Sequence, residues 1–299
     1  SLHVGSLIQI MMMRIFQKYE HTPIVLIGEG TTKIGDPSGK DQSRKMLSAD
    51  DIKNNSSNLV KVFDKFLVSS SKNKPIYANN ADWLDNINYI NFLRDYGKHF
   101  TINKMLSFDS VKLRLEREQS LSFVEFNYMI LQAYDYLELH NRYNCKLQIG
   151  GSDQWGNIVN GIDLIRRDSS SEVYGLTTPL LTNAKNEKMG KTVDGAVWLN
   201  EEMLTAYDYW QFWRNVDDRD VFRFLKLFTD KTLEEIKLLE NDTNINNVKI
   251  LLANAATEML HGKEKANLAE KTANDVFKNE GSSENLPLIN VNLTEGKLS

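Results

Sequence analysis

The chain has 299 residues, 41% of them hydrophobic, which is enough for two domains with apolar cores. Its net charge of −4 provides no overall basic field for unspecific nucleic-acid binding, so an RNA contact would have to use a local patch. The single cysteine, Cys145, excludes an intramolecular disulfide and indicates a reducing compartment, and no apolar run reaches the roughly 18 residues of a membrane span.

Helical and strand patterns alternate in the first half of the chain. Residues 7–19 have the spacing of a helix, and the apolar run at 24–27 is bounded by Pro23 and Gly28, as is typical of a buried parallel strand. A helix followed by such a strand predicts a right-handed crossover unit. The next segments in order are a glycine-containing loop at 31–44, a helix at 50–68 and short helices over 84–115.

The second half begins with a capping box, in which Ser122 and Glu125 open a helix that continues to about Leu139. A buried strand then ends in the pair Gly150-Gly151 and leads into another helix. The remaining expected elements are a strand at 173–182, a loop with two lysines, an apolar segment at 196–199, and helices from 201 to about 278, one of them opened by a capping box at Thr232.

Three polar residues of the predicted helix at 122–139 share one face, because Tyr128, Gln132 and Asp135 are spaced i, i+4 and i+7. Their apolar neighbours would pack the other faces. A polar stripe on such a helix must either be solvated or face a polar cavity. The spacing alone leaves both interpretations open.

The run LQIGGSDQWGN at 147–157 joins a strand to a helix through a glycine pair. In an open α/β sheet, nucleotides bind at such a turn, because glycine lets the backbone approach a ligand and a helix N-terminus favours anions. Ser152 could cap the following helix. A plain helix cap is the alternative interpretation of the GGSD sequence.

Three loops carry candidate phosphate-binding groups. The sequence GDPSGK at 35–40 has neither the spacing of a Walker A loop nor its final Ser or Thr, and by itself it predicts a turn. The sequence HVGS at 3–6 fits the start of a helix, and KMGKT at 188–192 fits a solvated loop when it is considered alone.

Taken together, HVGS, GGSDQWGN and KMGKT resemble the signature of the class I aminoacyl-tRNA synthetases, and GGSDQWGN narrows the resemblance to the tyrosyl family of bacterial and organellar type. This resemblance implies an α/β fold in which a Rossmann-like parallel-sheet catalytic domain precedes an all-helical domain. The implied segments are a catalytic domain at 1–200 with a dimer-interface insertion at about 84–122, a tRNA-related helical domain at 201–280, and a linker at 281–299. We expect both ends of the chain to be cut, before the first strand and before a C-terminal RNA-binding domain.

The resemblance also implies which residues bind tyrosine. The substrate ammonium group would be held by Asp36, Tyr128 and Gln132, and the phenol hydroxyl would donate to Asp135. Gln154 would lie against the substrate carboxylate. Phenylalanine would leave the buried acceptor unpaired, which would explain selectivity for tyrosine.

ATP would be bound by motif residues, namely His3, Gly5, Ser6, Gly151, Asp153, Lys188 and Lys191. The groups expected to neutralise charge on the reacting phosphates, and thus to be catalytic, are His3, Lys40, Arg44, Lys188, Lys191 and Thr192. Ser6 departs from the family pattern, which has a second histidine there. A serine is shorter than a histidine and does not titrate near neutral pH.

The implied reaction is formation of tyrosyl-adenylate from L-tyrosine and ATP, followed by transfer of tyrosine to the 3′ end of tRNA(Tyr). Mg²⁺ would come with ATP, and we expect no bound structural metal. The resemblance further implies a homodimer with Phe123 near its interface, no membrane association, and a bacterial cytoplasm or, alternatively, a mitochondrion or other organelle. Two alternatives remain: the related tryptophanyl enzyme, and a synthetase-like RNA-binding protein such as a splicing cofactor that has lost catalysis.

Overall fold

The computed structural model describes residues 2–34, 48–69, 72–192, 195–241 and 244–278. The chain divides into two compact units. One unit is the continuous segment Met12–Leu181, and the other combines the described residues of Ser1–Met11 and Thr182–Ser299. The predicted domain boundaries at 200 and 280 stay a prediction.

The unit Met12–Leu181 contains two pairs of parallel strands. Strand β1 (Ile24–Ile27) pairs with β2 (Ile76–Asn79), and β3 (Leu147–Gly151) pairs with β4 (Tyr174–Thr178). Parallel neighbours require crossover connections, and helices supply them here. The helices in chain order are α1 (Leu7–Lys18, shared with the other unit), α2 (Glu29–Thr32), α3 (Ala49–Phe66), α4 (Ala81–Leu84), α5 (Tyr89–Asp95), α6 (Ile102–Leu106), α7 (Asp109–Glu116), α8 (Phe123–Tyr143) and α9 (Trp155–Ser169).

The core of this unit lies around α8. Tyr136 and Leu137 on α8 are fully buried and share an apolar cluster with Leu164 and Ile165 on α9 and with residues of β1 and β2. The Tyr136 hydroxyl donates to the backbone carbonyl of Tyr174 over 2.7 Å, which joins α8 to β4. Because α8 is anchored on both sides, its polar face is held in a fixed position.

The second unit has a small antiparallel pair, β5 (Lys191–Thr192) with β6 (Gly195–Ala196), followed by helices. These helices are α10 (Ala206–Arg214), α11 (Val221–Phe228), α12 (Leu233–Leu239), α13 (Ile245–His261) and α14 (Lys263–Lys278). Their core is aromatic: Trp213 lies 5.8 Å from Phe224 and 5.2 Å from Phe228 between ring centroids. No helix within the described ranges combines the length and the apolar character that crossing a membrane requires.

The predicted fold class is confirmed, with parallel strand pairs and crossover helices followed by a helical region. Both predicted capping boxes are present, at Ser122 and at Thr232. Helix α8 continues past the expected end at Leu139 to Tyr143, where Asn144 adopts a left-handed conformation (φ 53°) and its N–H caps the carbonyl of Leu139.

Candidate functional site

The N-terminal motif forms a tight turn that fixes the imidazole of His3. His3 precedes a short 3₁₀ turn (Val4–Ser6), and its Nδ1 accepts a hydrogen bond from the backbone N–H of Gly5 over 3.0 Å. A neutral ring whose Nδ1 accepts must carry its proton on Nε2. The turn therefore sets both the orientation and the tautomer of this candidate phosphate-binding group.

The lysine loop packs directly against this turn. Gly190 has φ +104°, which favours glycine, and a Cβ at this position would overlap the His3 ring and lie 3.0 Å from the Gly5 nitrogen. A Cβ on Gly5 would in turn lie 2.9 Å from the Met189 carbonyl oxygen. The two motifs, distant in sequence, thus touch through their glycines, as a shared phosphate clamp requires.

Backbone hydrogen bonds hold this junction together. The Val4 N–H donates to the Val197 carbonyl over 2.8 Å, and the Val197 N–H donates to the Gly190 carbonyl over 3.2 Å. His3 and Trp198 form an antiparallel bridge. The chain just after the lysine loop therefore connects the loop to the N-terminal turn.

The other residues of the two motifs are placed as follows. Ser6 ends the 3₁₀ turn and is half-buried, and its backbone N–H donates to the His3 carbonyl over 2.8 Å. Lys188 is exposed and forms a bridge with Thr182. Lys191 and Thr192 form β5, for which the structure describes the backbone. The roles predicted for these residues stay predictions.

The predicted polar stripe lies on α8, in the unit Met12–Leu181. Tyr128 and Gln132 are half-buried, whereas Asp135 is only 3% exposed. The helix is set at its start by the capping box, in which the Ser122 hydroxyl accepts from the Glu125 N–H over 3.2 Å and a Glu125 oxygen accepts from the Ser122 N–H over 2.9 Å. Since solvent hardly reaches Asp135, the end of the stripe faces the protein interior rather than water.

Asp135 is a buried hydrogen-bond acceptor with two protein donors. The Trp83 indole Nε1 donates to its Oδ1 over 2.7 Å, and the Asn80 Nδ2 donates to its Oδ2 over 3.0 Å. Burial raises the pKa of the Asp135 carboxyl to about 7, the two hydrogen bonds lower it, and the nearby Glu138 charge adds to the rise. A carboxyl with this environment suits recognition of a hydroxyl group.

Asn80 and Trp83 were not predicted from the sequence. Asn80 follows β2 directly, and Trp83 lies in the single-turn helix α4. The position of Asn80 at the carboxyl end of a parallel strand was a usable signal, because ligands of open α/β sheets bind at these ends. No local pattern connects either residue to Asp135.

The central run folds as the sequence predicts, except at Ser152. Strand β3 ends at Gly151, a 3₁₀ turn spans Ser152–Gln154, and α9 begins only at Trp155. The expectation that Ser152 caps the helix is wrong, because its hydroxyl makes no capping hydrogen bond and Gln154 occupies the N-cap position.

The candidate ligand groups of this run are close together. A Cβ on Gly151 would overlap Oδ1 of Asp153, so the aspartate folds back over the glycine backbone. The Gln154 Oε1 accepts from the Asn157 Nδ2 over 3.2 Å, which orients the amide of Gln154. This arrangement offers one carboxylate and one oriented amide beside a strand end.

Three predicted residues, Asp36, Lys40 and Arg44, lie outside the described residues. Within the described ranges, no three His, Cys, Asp or Glu side chains are grouped as a metal site would require.

Comparison with known proteins identifies the family. Residues 1–278 match the family described as tRNA synthetases class I (W and Y). The tyrosine–tRNA ligase of Pelagibacter ubique is 62% identical over 293 residues, which cover 98% of this chain and 71% of that protein. The tyrosine–tRNA ligase of Wolbachia pipientis is 58% identical over 286 residues, covering 95% of this chain and 68% of that protein.

A solved structure shows the same fold. A C-terminally truncated mitochondrial tyrosyl-tRNA synthetase of Aspergillus nidulans superposes with a TM-score of 0.79 at 28% identity, over 93% of this chain and 82% of that chain. The resemblance found in the sequence motifs is therefore confirmed over nearly the whole chain. This chain belongs to the class I tRNA synthetases of the tryptophan and tyrosine family, and within that family to the tyrosine–tRNA ligases.

Proposed function

We propose that this chain activates L-tyrosine with ATP, releasing pyrophosphate, and transfers tyrosine from the adenylate to the 3′ end of tRNA(Tyr). Relatives that are 62% and 58% identical to this chain bear the name tyrosine–tRNA ligase. The structural observation that carries the proposal is the packing of Gly190 against His3 and Gly5, since it unites the two phosphate-binding motifs.

The first step needs alignment and charge neutralisation rather than a base. The tyrosine carboxylate is already a nucleophile and attacks the α-phosphorus of ATP, which enters with Mg²⁺. Negative charge then builds on the phosphorus and on the leaving pyrophosphate. His3, whose tautomer places a proton on Nε2, is a suitable donor. The proposed companions are Ser6, Lys40, Arg44, Lys188, Lys191 and Thr192, with Gly5, Gly151 and Asp153 receiving the adenosine.

Tyrosine is proposed to bind along α8. Tyr128 and Gln132, together with Asp36, would hold the ammonium group, and Gln154 would lie near the carboxylate. Asp135 would accept a hydrogen bond from the phenol hydroxyl, a role that its burial and its two N–H donors support. With phenylalanine bound, this buried acceptor would keep its two protein donors and lose the third, and a hydrogen bond to a charged group contributes about 1.5–3 kcal/mol.

The defining test is pyrophosphate exchange. With the 299-residue chain, labelled pyrophosphate should enter ATP when tyrosine is present and not when tryptophan or phenylalanine replaces it. Charging of tRNA(Tyr) measured alongside separates the two steps. Exchange that depends on tryptophan would favour the related tryptophanyl activity, and RNA binding without any exchange would favour a splicing-type cofactor.

Within the proposed function, two copies of the chain are expected to associate through the insertion at about 84–122 and the start of α8. Phe123, at the first position of α8, is 70% exposed, and Ile90 and Ile102 of the insertion are 69% and 59% exposed. A contiguous patch of exposed apolar side chains marks a protein interface, and these three residues are the proposed members of such a patch.

A charge on this surface should prevent association. Phe123→Glu is expected to shift the sedimentation coefficient from that of a dimer to that of a monomer. The matched control is Tyr19→Glu, which alters a side chain that is 76% exposed outside the insertion. If Phe123→Glu leaves the mass unchanged, the interface lies elsewhere.

We further propose a bacterial cytoplasm as the site of action, with an organelle as the alternative.

A further inference from the structure

The carboxylate of Asp135 receives two hydrogen bonds, and the two donors are held differently. The Asn80 amide is fixed by the backbone, because its Oδ1 accepts from the Gly30 N–H over 2.8 Å. This contact forces Nδ2 toward Asp135 and the Thr31 hydroxyl, which lie 3.0 Å away. The Asn80 donor thus needs no further support.

The Trp83 donor sits on a very short helix. Helix α4 is a single turn of four residues, and its N-cap residue makes no side-chain capping hydrogen bond. Such a short helix is not stable by itself, so its side chains depend on tertiary contacts for their orientation. The indole is only 4% exposed, and its N–H points at Asp135.

A cation lies on the Trp83 ring. The Arg142 guanidinium carbon is 5.1 Å from the centroid of the ring, within the range of a cation–π contact. Asp135 and Arg142 are seven positions apart on α8 and therefore share one helix face. The Trp83 indole contacts both residues: its N–H donates to Asp135, and its face lies against Arg142.

The guanidinium itself is held by an ion pair. Arg142 Nε lies 2.6 Å from Glu138 Oε2, and the two are spaced i, i+4 with the acidic residue first, the more favourable order on a helix. The Glu138 side chain is 15% exposed and that of Arg142 44%, so the pair sits at the edge of the buried region. Since Arg142 pairs with Glu138, it also offsets a negative charge that acts on Asp135.

We propose that Arg142, held by Glu138, is a positioning residue for amino acid selection, which orients the Trp83 indole so that Asp135 is ready to accept the phenol of tyrosine. This inference rests on the proposed function and deepens it, since it places a specificity determinant outside the signature motifs. Arg142 acts through Trp83 and is not itself a catalytic residue.

The test compares three variants of the 299-residue chain. Arg142→Met keeps the length of the side chain and removes its charge, whereas Arg142→Lys keeps a cation over the ring. Arg166→Met is the matched control, because Arg166 is also a surface arginine on a helix, paired with Asp163 over 2.8 Å. Thermal denaturation establishes that each variant is folded.

The first readout is binding without chemistry. Equilibrium dialysis with labelled tyrosine and phenylalanine gives the ratio of their dissociation constants. We expect Arg142→Met to reduce this selectivity ratio about two- to fivefold, as loss of a partly exposed cation–π contact predicts. Arg142→Lys should retain most of the ratio, and Arg166→Met should leave it unchanged. An unchanged ratio in Arg142→Met, or an equal loss in Arg142→Lys, would overturn the inference.

The second readout is the split of kinetic constants in pyrophosphate exchange. Arg142→Met should raise KM for tyrosine with kcat and KM for ATP unaltered, because the orienting contact serves binding of the amino acid alone. A fall in kcat with unchanged KM would contradict this role. Absence of exchange in the unaltered chain would refute the proposed function, whereas the dialysis ratio would still decide on Arg142.

Discussion

The hydrogen bond from Trp83 to Asp135 offers the sharpest test of the proposed tyrosine site. The substitution Trp83→Phe keeps an aromatic ring in the core and deletes one N–H donor at 2.7 Å. Asp135 is 3% exposed, so water cannot simply replace the donor. A hydrogen bond to a charged group contributes about 1.5–3 kcal/mol, and at about 1.4 kcal/mol per unit this loss raises the pKa of Asp135 by about 1 to 2 units.

The consequence is a shift in how tyrosine binding depends on pH. Since the pKa of Asp135 is already about 7, the variant should keep its carboxyl largely protonated at neutral pH. A pKa of about 8 to 9 leaves roughly 1–10% of the carboxyl ionised at pH 7, which would raise KM for tyrosine about 5- to 50-fold. The difference in KM between the variant and the unaltered chain should shrink toward pH 9, because the Asp135 carboxyl then becomes ionised in both proteins.

The assay is tyrosine-dependent pyrophosphate exchange between pH 6 and 9 at saturating ATP. The matched control is Trp210→Phe, which also removes an indole donor at 2.7 Å, here to Asn254 in the helical region. Superposable profiles of KM against pH for Trp83→Phe and the unaltered chain would show that the indole does not tune Asp135. A uniform rise in KM at every pH would indicate a packing effect instead.

Three further predictions concern the clamp, a buried ion pair and stability. Gly190→Ala should slow pyrophosphate exchange about tenfold or more by displacing His3, one of the proposed phosphate donors. Gly195→Ala is the control: Gly195 also has a positive φ, but no described atom lies within 4 Å of a Cβ at this position, so the exchange rate should reflect only the backbone strain. Arg114→Met should lower the free energy of unfolding in urea by about 3–5 kcal/mol, because it leaves Glu125 buried without its cationic partner at 3.1 Å. The double variant with Glu125→Gln should recover part of this loss. Asp135 binds more protons in the folded than in the unfolded state between about pH 4 and its folded pKa of about 7, so stability should fall as pH rises through this window, and Asp135→Asn should lack this fall in urea titrations at pH 5 and 7.

Local signals in the sequence were sufficient for most of the elements. The capping boxes at Ser122 and Thr232 located two helix starts to the residue, since the side chains that satisfy the first N–H groups are adjacent in sequence. Helix α8 ends four residues later than the pattern predicts, because its C-cap is Asn144, which tolerates a left-handed conformation. The start of α9 was misplaced because a 3₁₀ turn intervenes after Gly151.

The candidate site was only partly accessible from the sequence. Spacing placed Tyr128, Gln132 and Asp135 on one face but could not decide between a wet surface and a cavity. The burial of Asp135 excludes a fully solvated stripe, and the binding roles of the three residues stay predictions. Trp83 and Asn80 approach Asp135 from segments more than 50 positions away, and no periodicity encodes such a contact. Long-range partners of this kind follow from the packing of β2 and α4 against α8.

The hydrogen bonds that hold the N-terminal turn have a consequence for the order in which parts of the chain fold during synthesis. Val4 and Leu2 hydrogen-bond with Val197 and Leu199, and the compact unit that contains them is built from both ends of the chain. The segment Met12–Leu181 is continuous in sequence, whereas the hydrogen bonds of the N-terminal turn can form only after Leu199 has been synthesised. This pairing of distant segments is of the kind that slows folding.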